Sequence, residues 1–401
     1  MAWNQRARLF SLAVAIQPLP NVFTAPSAAD IIAIASPTFT IDALTADDPT
    51  ATGTIWDSNR IYLGETATAG GTFPLRGPGG NAPPAANAWP FGRVLQSGGW
   101  AEIRKAVATN AVLQAGSTTG ALVLAASEGA VDDAYIGVPI QQAQVGAGFK
   151  ATTLIRDYTG ASRTATLAET LGGAPATGAA YVIPAHLLYQ LGTLGTAPPV
   201  LSISVWRDKK RYDIKDWSPT SIAFDVPVSN EANTSYPTVE FSGRGNLENV
   251  VDDTTPPLDP EIIRIPVPPA RGGKFALDSV KLGHQSIRFT QGMEISAASN
   301  QNQATGQDGY DIISGNRTLD LDLNQMAETD FALLTRVRAQ TVMPVMSTWG
   351  LGNGNKMGFI VPNIVLNPMS PGERNGYVSL TGQAFTTDVD KSAAFAIWWD
   401  T

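Results

Sequence analysis

The sequence predicts a mostly-β protein of the sandwich or barrel class. Three observations carry this. Short segments of alternating apolar and polar residues recur along the chain, clusters of Gly, Pro and Asn separate them, and helical periodicity is scarce. Of 401 residues, 38 are Gly and 28 are Pro while only 15% are charged, so turns are frequent and polarity comes from Thr, Ser, Asn and Gln. Short strands at this spacing build sandwiches and barrels.

Taken in order, Arg6 and Arg8 precede the apolar run Leu9–Ile16. This is the start of a signal-peptide pattern, but the run is short, Gln17-Pro18-Leu19-Pro20 follows it, and no small-x-small site comes next. The stretch reads as an extended N-terminal arm over residues 1–29. Strand patterns then fall at Thr38–Ala43, Leu201–Trp206, Ser221–Val228 and Thr238–Ser242. In the last third they fall at Ile287–Phe289, Thr318–Leu323, Phe359–Leu366 and Tyr377–Leu380. The best helix is Ala327–Arg338, with Glu328 and Asp330 in its first turn, Arg336 and Arg338 in its last, and Phe331, Leu334 and Val337 on one face. A second short helix is expected at Gly92–Gln96 before Gly98-Gly99, with Trp100–Ala106 as its extension. The stretch 111–184 is rich in Ala, Gly and Thr and reads as an inserted β module. The Pro-rich stretch 252–269 reads as a stiff linker. A β unit is therefore expected from 30–110 with 185–251, and a second from 270–401. Strand, polar turn, strand recurs at Ser221–Gly245 and Asn363–Phe385, where Phe241-Ser242-Gly243 aligns with Leu380-Thr381-Gly382.

Composition excludes several classes of function. The chain has no cysteine and two histidines, His186 and His284, which removes disulfides, thiolate chemistry and multi-histidine metal sites. Net charge is −8, spread along the chain with no basic stripe, so a grip on nucleic acid or anionic membrane is not expected. No apolar run reaches the length needed to span a bilayer. Asp320, Asp322 and Asn324 imitate a calcium loop, but Gln325 and Phe331 stand where that loop needs Gly and Glu; the simpler reading puts Leu319, Leu321 and Leu323 on a core. Gly350–Gly354 is a hairpin turn rather than a phosphate loop. No residue pattern points to a catalytic centre, a metal or a cofactor. The one charged cluster, Arg207–Lys215 between Trp206 and Trp217, could be a base-stacking patch but reads more simply as a polar hairpin.

At that hairpin the sequence resembles the tail tube (major tail) proteins of long-tailed bacteriophages. Ser202–Tyr212, Ser221–Val226 and Val239–Gly243 match the order of strands around that family's charged turn, with Lys209 where the family has Gly. Ile61–Gly64, Phe91–Trp100, Thr318–Leu323, Phe359–Pro362 and Tyr377–Gly382 extend the match. Within the insert, Asp132–Gly137 and Ile155–Thr166 resemble a small β module that recurs in phage structural proteins. The resemblance implies two tail-tube-type β-sandwich or barrel units with one short helix each, plus an outward-facing inserted module. It implies a structural virion protein, not an enzyme, with no cofactor. Copies would form stacked rings around a lumen for genomic DNA, three per ring imitating a hexamer or six in a true one. A tape measure protein and tail-end proteins would be further partners, with no membrane. Its place would be the virion tail, assembled in the host cytoplasm. In similar proteins an extended loop and the N-terminal arm bridge rings; here the loop carrying Gly77, Pro78, Gly79, Gly80, Pro83 and Pro84 is the candidate for ring stacking. Two other readings stand beside this one. One is another phage structural protein, a capsid decoration or baseplate component. The other is a secreted carbohydrate-active β protein that stacks sugars on its nine tryptophans.

Overall fold

Alternation becomes antiparallel sheet wherever a partner strand is in reach. Leu319, Leu321 and Leu323 are buried while Asp320 and Asp322 between them stay partly exposed, as the two-residue period of a strand requires. A computed structural model describes residues 10–47, 60–143, 150–192, 197–207, 209–229, 234–252, 265–302, 306–324, 333–350, 352–374, 377–387 and 391–399. The protein is mostly β, with two α-helices among the described residues.

The chain runs through β1 (Phe10–Ile16), β2 (Ile31–Ile32), the long pair β3 (Ser36–Asp47) and β4 (Arg60–Pro74), helix α1 (Pro90–Ser97) and β5 (Trp100–Lys105). The insert supplies β6 (Thr109–Val112), β7 (Ala121–Val123), β8 (Pro139–Ala143), β9 (Lys150–Thr159), β10 (Thr164–Leu167) and β11 (Ala180–Ile183). Then come β12 (Ala185–Leu191), β13 (Leu201–Arg207), β14 (Lys210–Pro227) and β15 (Thr238–Asp252). The remainder holds β16 (Lys274–Leu277), β17 (Val280–Lys281), β18 (His284–Ser299), β19 (Gln307–Asn324), helix α2 (Leu333–Arg338), β20 (Met343–Trp349), β21 (Lys356–Leu366), β22 (Ser370–Arg374), β23 (Tyr377–Thr386) and β24 (Ala393–Trp399).

Two sheets result, one of 18 strands and one of six. All six strands of the smaller sheet come from 109–183, in the order β6-β11-β8-β9-β10-β7. Its edges meet where the Gln114 N–H donates to the Val123 carbonyl. The module is not free-standing, however. Its core of Leu122, Val138, Ile140, Leu154 and Tyr158 continues into Leu188, Met346, Ile360 and Trp398 of the large sheet. Gly137 permits this contact, since a Cβ there would lie 2.3 Å from the Ala394 Cβ.

The large sheet does not divide into two separate units. β14 pairs with β18 from Ser221 opposite Gly292 to Pro227 opposite Ser286, and β12 pairs with β24 along seven residues. One core joins both halves: Phe224 packs on Phe359 with ring centres 5.2 Å apart, and Trp89 on Phe395 at 6.4 Å. The two β units expected from the Pro-rich stretch and the recurring strand pattern thus share one sheet and one core. Residues 253–264 of that stretch lie outside the described residues.

Helix α1 starts at Pro90, whose fixed φ suits a first helical position, and stops at Gly98, whose N–H donates to the carbonyls of Val94 and Leu95. Trp100–Lys105 is not its extension. Gly99 takes φ +88°, turns the chain, and the next six residues pair with β12 as edge strand β5. Helix α2 covers the end of the expected 327–338 helix; Glu328, Asp330 and Phe331 lie outside the described residues.

Candidate assembly surface

Among the described strands, β3 is the longest with no buried residue. β4 is flanked by β15 only from Thr66, opposite Asn246, to Pro74, opposite Thr238. Residues 60–65 of β4 have β3 alone for company, so the ribbon runs on past the sheet. β3 pairs with β4 through all twelve of its residues and, among the described residues, with nothing on its other side. Its residues are exposed or only partly buried throughout. Ile41, Ile61, Tyr62 and Leu63 are exposed apolar side chains on this ribbon. Phe39 alone leans back, against Tyr212 at 4.8 Å. An open edge of this length offers unpaired N–H and C=O groups to any strand that approaches. Natural edges are blunted by lysine, which β3 lacks; it has only Pro37, Asp42 and Asp47.

The loop expected to carry ring stacking behaves differently. The Gly77 N–H donates to Asn355 Oδ1 at 2.9 Å, and the Gly79 N–H donates to the Gly354 carbonyl at 3.1 Å. Trp399 Nε1 donates to the carbonyls of Gly79 and Gly80. Arg104 donates to the carbonyls of Pro83 and Pro84. A Cβ on Gly77 would lie 1.8 Å from the Gly354 carbonyl oxygen, so only glycine fits that approach. Gly77, Pro78 and Pro84 line a cleft of about 220 Å³ together with Ile31, Phe73 and Trp89. The loop is thus held on its own chain and forms a wall of a cleft.

The N-terminal arm is likewise tied down. From Phe10 it is a buried strand, β1, paired with all of β13, and Asn21 donates from its backbone N–H to Asp216 Oδ1 at 2.7 Å. An apolar run buried on both faces reads locally like a signal or an arm, which explains the expectation.

The other candidates from the sequence resolve into structural roles. His186 is buried between β5 and β24, with Nδ1 2.8 Å from the Pro184 carbonyl, and burial lowers its pKa to about 4. His284 stacks on Phe275 at 4.1 Å, and burial again lowers its pKa to about 4. Trp206 and Trp217 are buried, and the bases around them are engaged: Lys210 with Asp252, Arg211 with Asp213, Lys215 with Glu248. No base-stacking patch exists there. The seven described tryptophans are all buried, so none offers a platform for a sugar ring. The phage-module pattern of the insert is a packing knot. Asp132 Oδ1 accepts from the Gly160 N–H at 2.6 Å, and the rings of Tyr135 and Tyr158 pack at a tilt with centres 4.6 Å apart. Tyr135 and Tyr181 both donate to the buried Glu128 carboxylate, and burial first, then this acceptor, hold both phenols high, Tyr135 at about 12. Among the described residues, no group of three or more His, Asp or Glu could hold a metal ion, and no helix is long and apolar enough to cross a membrane.

No family model matches the chain, and no curated protein matches it. The open edge of β3 was missed at the level of sequence, where Thr38–Ala43 reads like any half-buried strand. The signal that could have found it is the lack of a basic residue on either side of the alternation.

Proposed function

We propose that this chain is the subunit of a phage tail tube. Copies associate edge to edge into rings, rings stack, and DNA passes through the lumen. The observation that carries this reading is the uncovered β3 edge with its apolar ribbon. A sheet protein with so long a bare edge is built to be completed by another strand. Charge supports the rest. A lumen must not hold phosphates, and an acidic excess, with three of the charged hairpin's five bases ion-paired, disfavours DNA sticking. The tape measure and tail-end proteins are the partners this reading implies, and the virion tail is its location.

Electron microscopy of purified protein tests the reading. Hollow tubes or rings are the expected result. A monodisperse monomer at every concentration would overturn it. Spikes or capsid-bound particles would favour the capsid or baseplate alternative. Native mass of a detached ring distinguishes three copies from six.

A further inference from the structure

The bare edge of β3 has a counterpart elsewhere in the chain that is already covered. β3–β4, α1, the antiparallel pair β5–β12 with the insert between its strands, and, after β13, a hairpin β14–β15 come in this order. So do β18–β19, α2, the pair β20–β21, and the hairpin β22–β23. In each series the hairpin's second strand returns to lie on the second strand of the long ribbon: β15 on β4, β23 on β19.

The registers coincide. Ser242 faces Ser221 on one side and Gly70 on the other; Thr381 faces Ser370 on one side and Asp322 on the other. Ser221 therefore corresponds to Ser370, and Gly70 to Asp322. Six residues before Asp322, Asn316 faces Gly292; six before Gly70, Gly64 faces Leu44. By the same count Phe289 corresponds to Ile41 and Ile287 to Phe39, apolar residues at both positions.

The two series differ in cover. The outer edge of β18 is filled by β14, with Ser221 opposite Gly292 and Phe224 opposite Phe289. Among the described residues, no strand lies on the outer edge of β3 or of β22. Phe289 is 1% exposed and its counterpart Ile41 is 39% exposed.

We propose that β22 of one copy pairs antiparallel with β3 of the next, in the register β14 uses on β18: Ser370 opposite Leu44 and Glu373 opposite Ile41. The proposal rests on the self-assembly reading and names its contact. The chain's internal β14–β18 junction and the junction between copies are then two instances of one interface. Each copy offers one edge of each kind on different parts of its surface, so the contact is heterologous, the type that makes a ring when its rotation closes.

The absence of cysteine from the chain makes the test clean. The substitutions Ile41→Cys and Glu373→Cys go into separate chains, both at exposed positions. The two are mixed, allowed to assemble and oxidised. A disulfide-linked dimer is expected from the mixture and none from either variant alone. Ser370→Cys in place of Glu373→Cys, three residues out of register, should give little product. Tubes that form without the Ile41–Glu373 link, or that link equally well out of register, would overturn the proposed register while leaving self-assembly intact. Failure of the unmodified chain to assemble, seen by microscopy of the same preparation, would instead overturn both.

Discussion

The ribbons β3–β4 and β18–β19 are two long antiparallel pairs, each leading into a short helix, yet both strands of β18–β19 enter the core while in β3–β4 only the second half of β4 does. On β18, Ile287 and Phe289 are covered, and Phe289 packs against Trp100 and Phe359. On β3, Phe39 and Ile41 occupy the matching places and find a single ring, Tyr212, between them. The difference lies in the neighbour rather than in the strand. Residues 221–227 of β14 lie along β18, and 221–225 hold β15 on their other side; among the described residues no strand of the same chain does this for β3. Apolar alternation specifies that a face or edge is to be covered; it does not specify that the cover belongs to the same molecule.

The largest expected effect is at the matched apolar pair. Phe289→Ala should lower the stability of the unassembled chain by about 3–5 kcal/mol, the usual cost of a buried Phe truncation. Ile41→Ala should change it by less than about 0.5 kcal/mol, as at other exposed sites. Denaturant titration of both variants below the assembly concentration checks this. Equal losses would show that β3 is covered within the chain.

A smaller effect is expected where β18 is fastened by a polar contact that β3 lacks. Trp100 Nε1 donates to Gln291 Oε1 at 2.8 Å, and Gln291 Nε2 donates to the Gly98 carbonyl at 2.7 Å. Trp100→Phe leaves the amide oxygen buried without its donor and should cost about 1–3 kcal/mol. Amide exchange along β18 should rise, with β3 unaffected.

Acid should act on the same ribbon. His284 opens β18, and burial lowers its pKa from 6.5 to about 4. The unfolded chain takes up the proton first as pH falls, so stability is present above 6.5 and is lost as pH falls from there towards 4. His186 acts in the same sense from the β12–β24 junction. Thermal unfolding of His284→Gln should show a flatter dependence over that interval. β3 carries no histidine, and exchange at its amides should follow only the intrinsic pH dependence.

The smallest effect is expected at Arg288. It reaches Glu240 and Asp225 on the exposed side of the covered ribbon. Arg288→Ala should cost no more than about 1 kcal/mol and less in high salt.

Much of this fold is legible in the sequence for reasons that differ by element. Thr318–Leu323 is readable because three leucines alternate with polar residues and each meets the same core. The insert is readable at 111–184, close to its strands at 109–183, because its composition shifts. Its attachment is not, since Leu188 and Ile360 look like any strand residues until the module sits on them. The helix ahead of Gly98-Gly99 is readable from its glycine stop, but the strand that follows is not. Trp100–Lys105 is too short for its period to decide, and its pairing with β12 is long-range. The loop at Gly77–Pro84 shows the same limit from the other side. Gly and Pro announce irregular backbone correctly, but whether that backbone reaches outward depends on Asn355, Gly354 and Trp399, which lie far along the chain.

The junction of β12 with β24 bears on how the chain reaches this state. His186 and Trp398 face one another from about two hundred residues apart, and β24 also lies along β21. Closing so long a loop costs entropy before the pairing returns anything, and folds dominated by such contacts form slowly. Until β24 inserts, β12 and β21 are themselves open edges, competing with β3 and β22 for strands of other copies. If copies pair through β3 and β22 as proposed, β24 has to close before they reach the concentration at which edges meet. A chaperone or a slow rate of synthesis would help such a protein more than extra stability would.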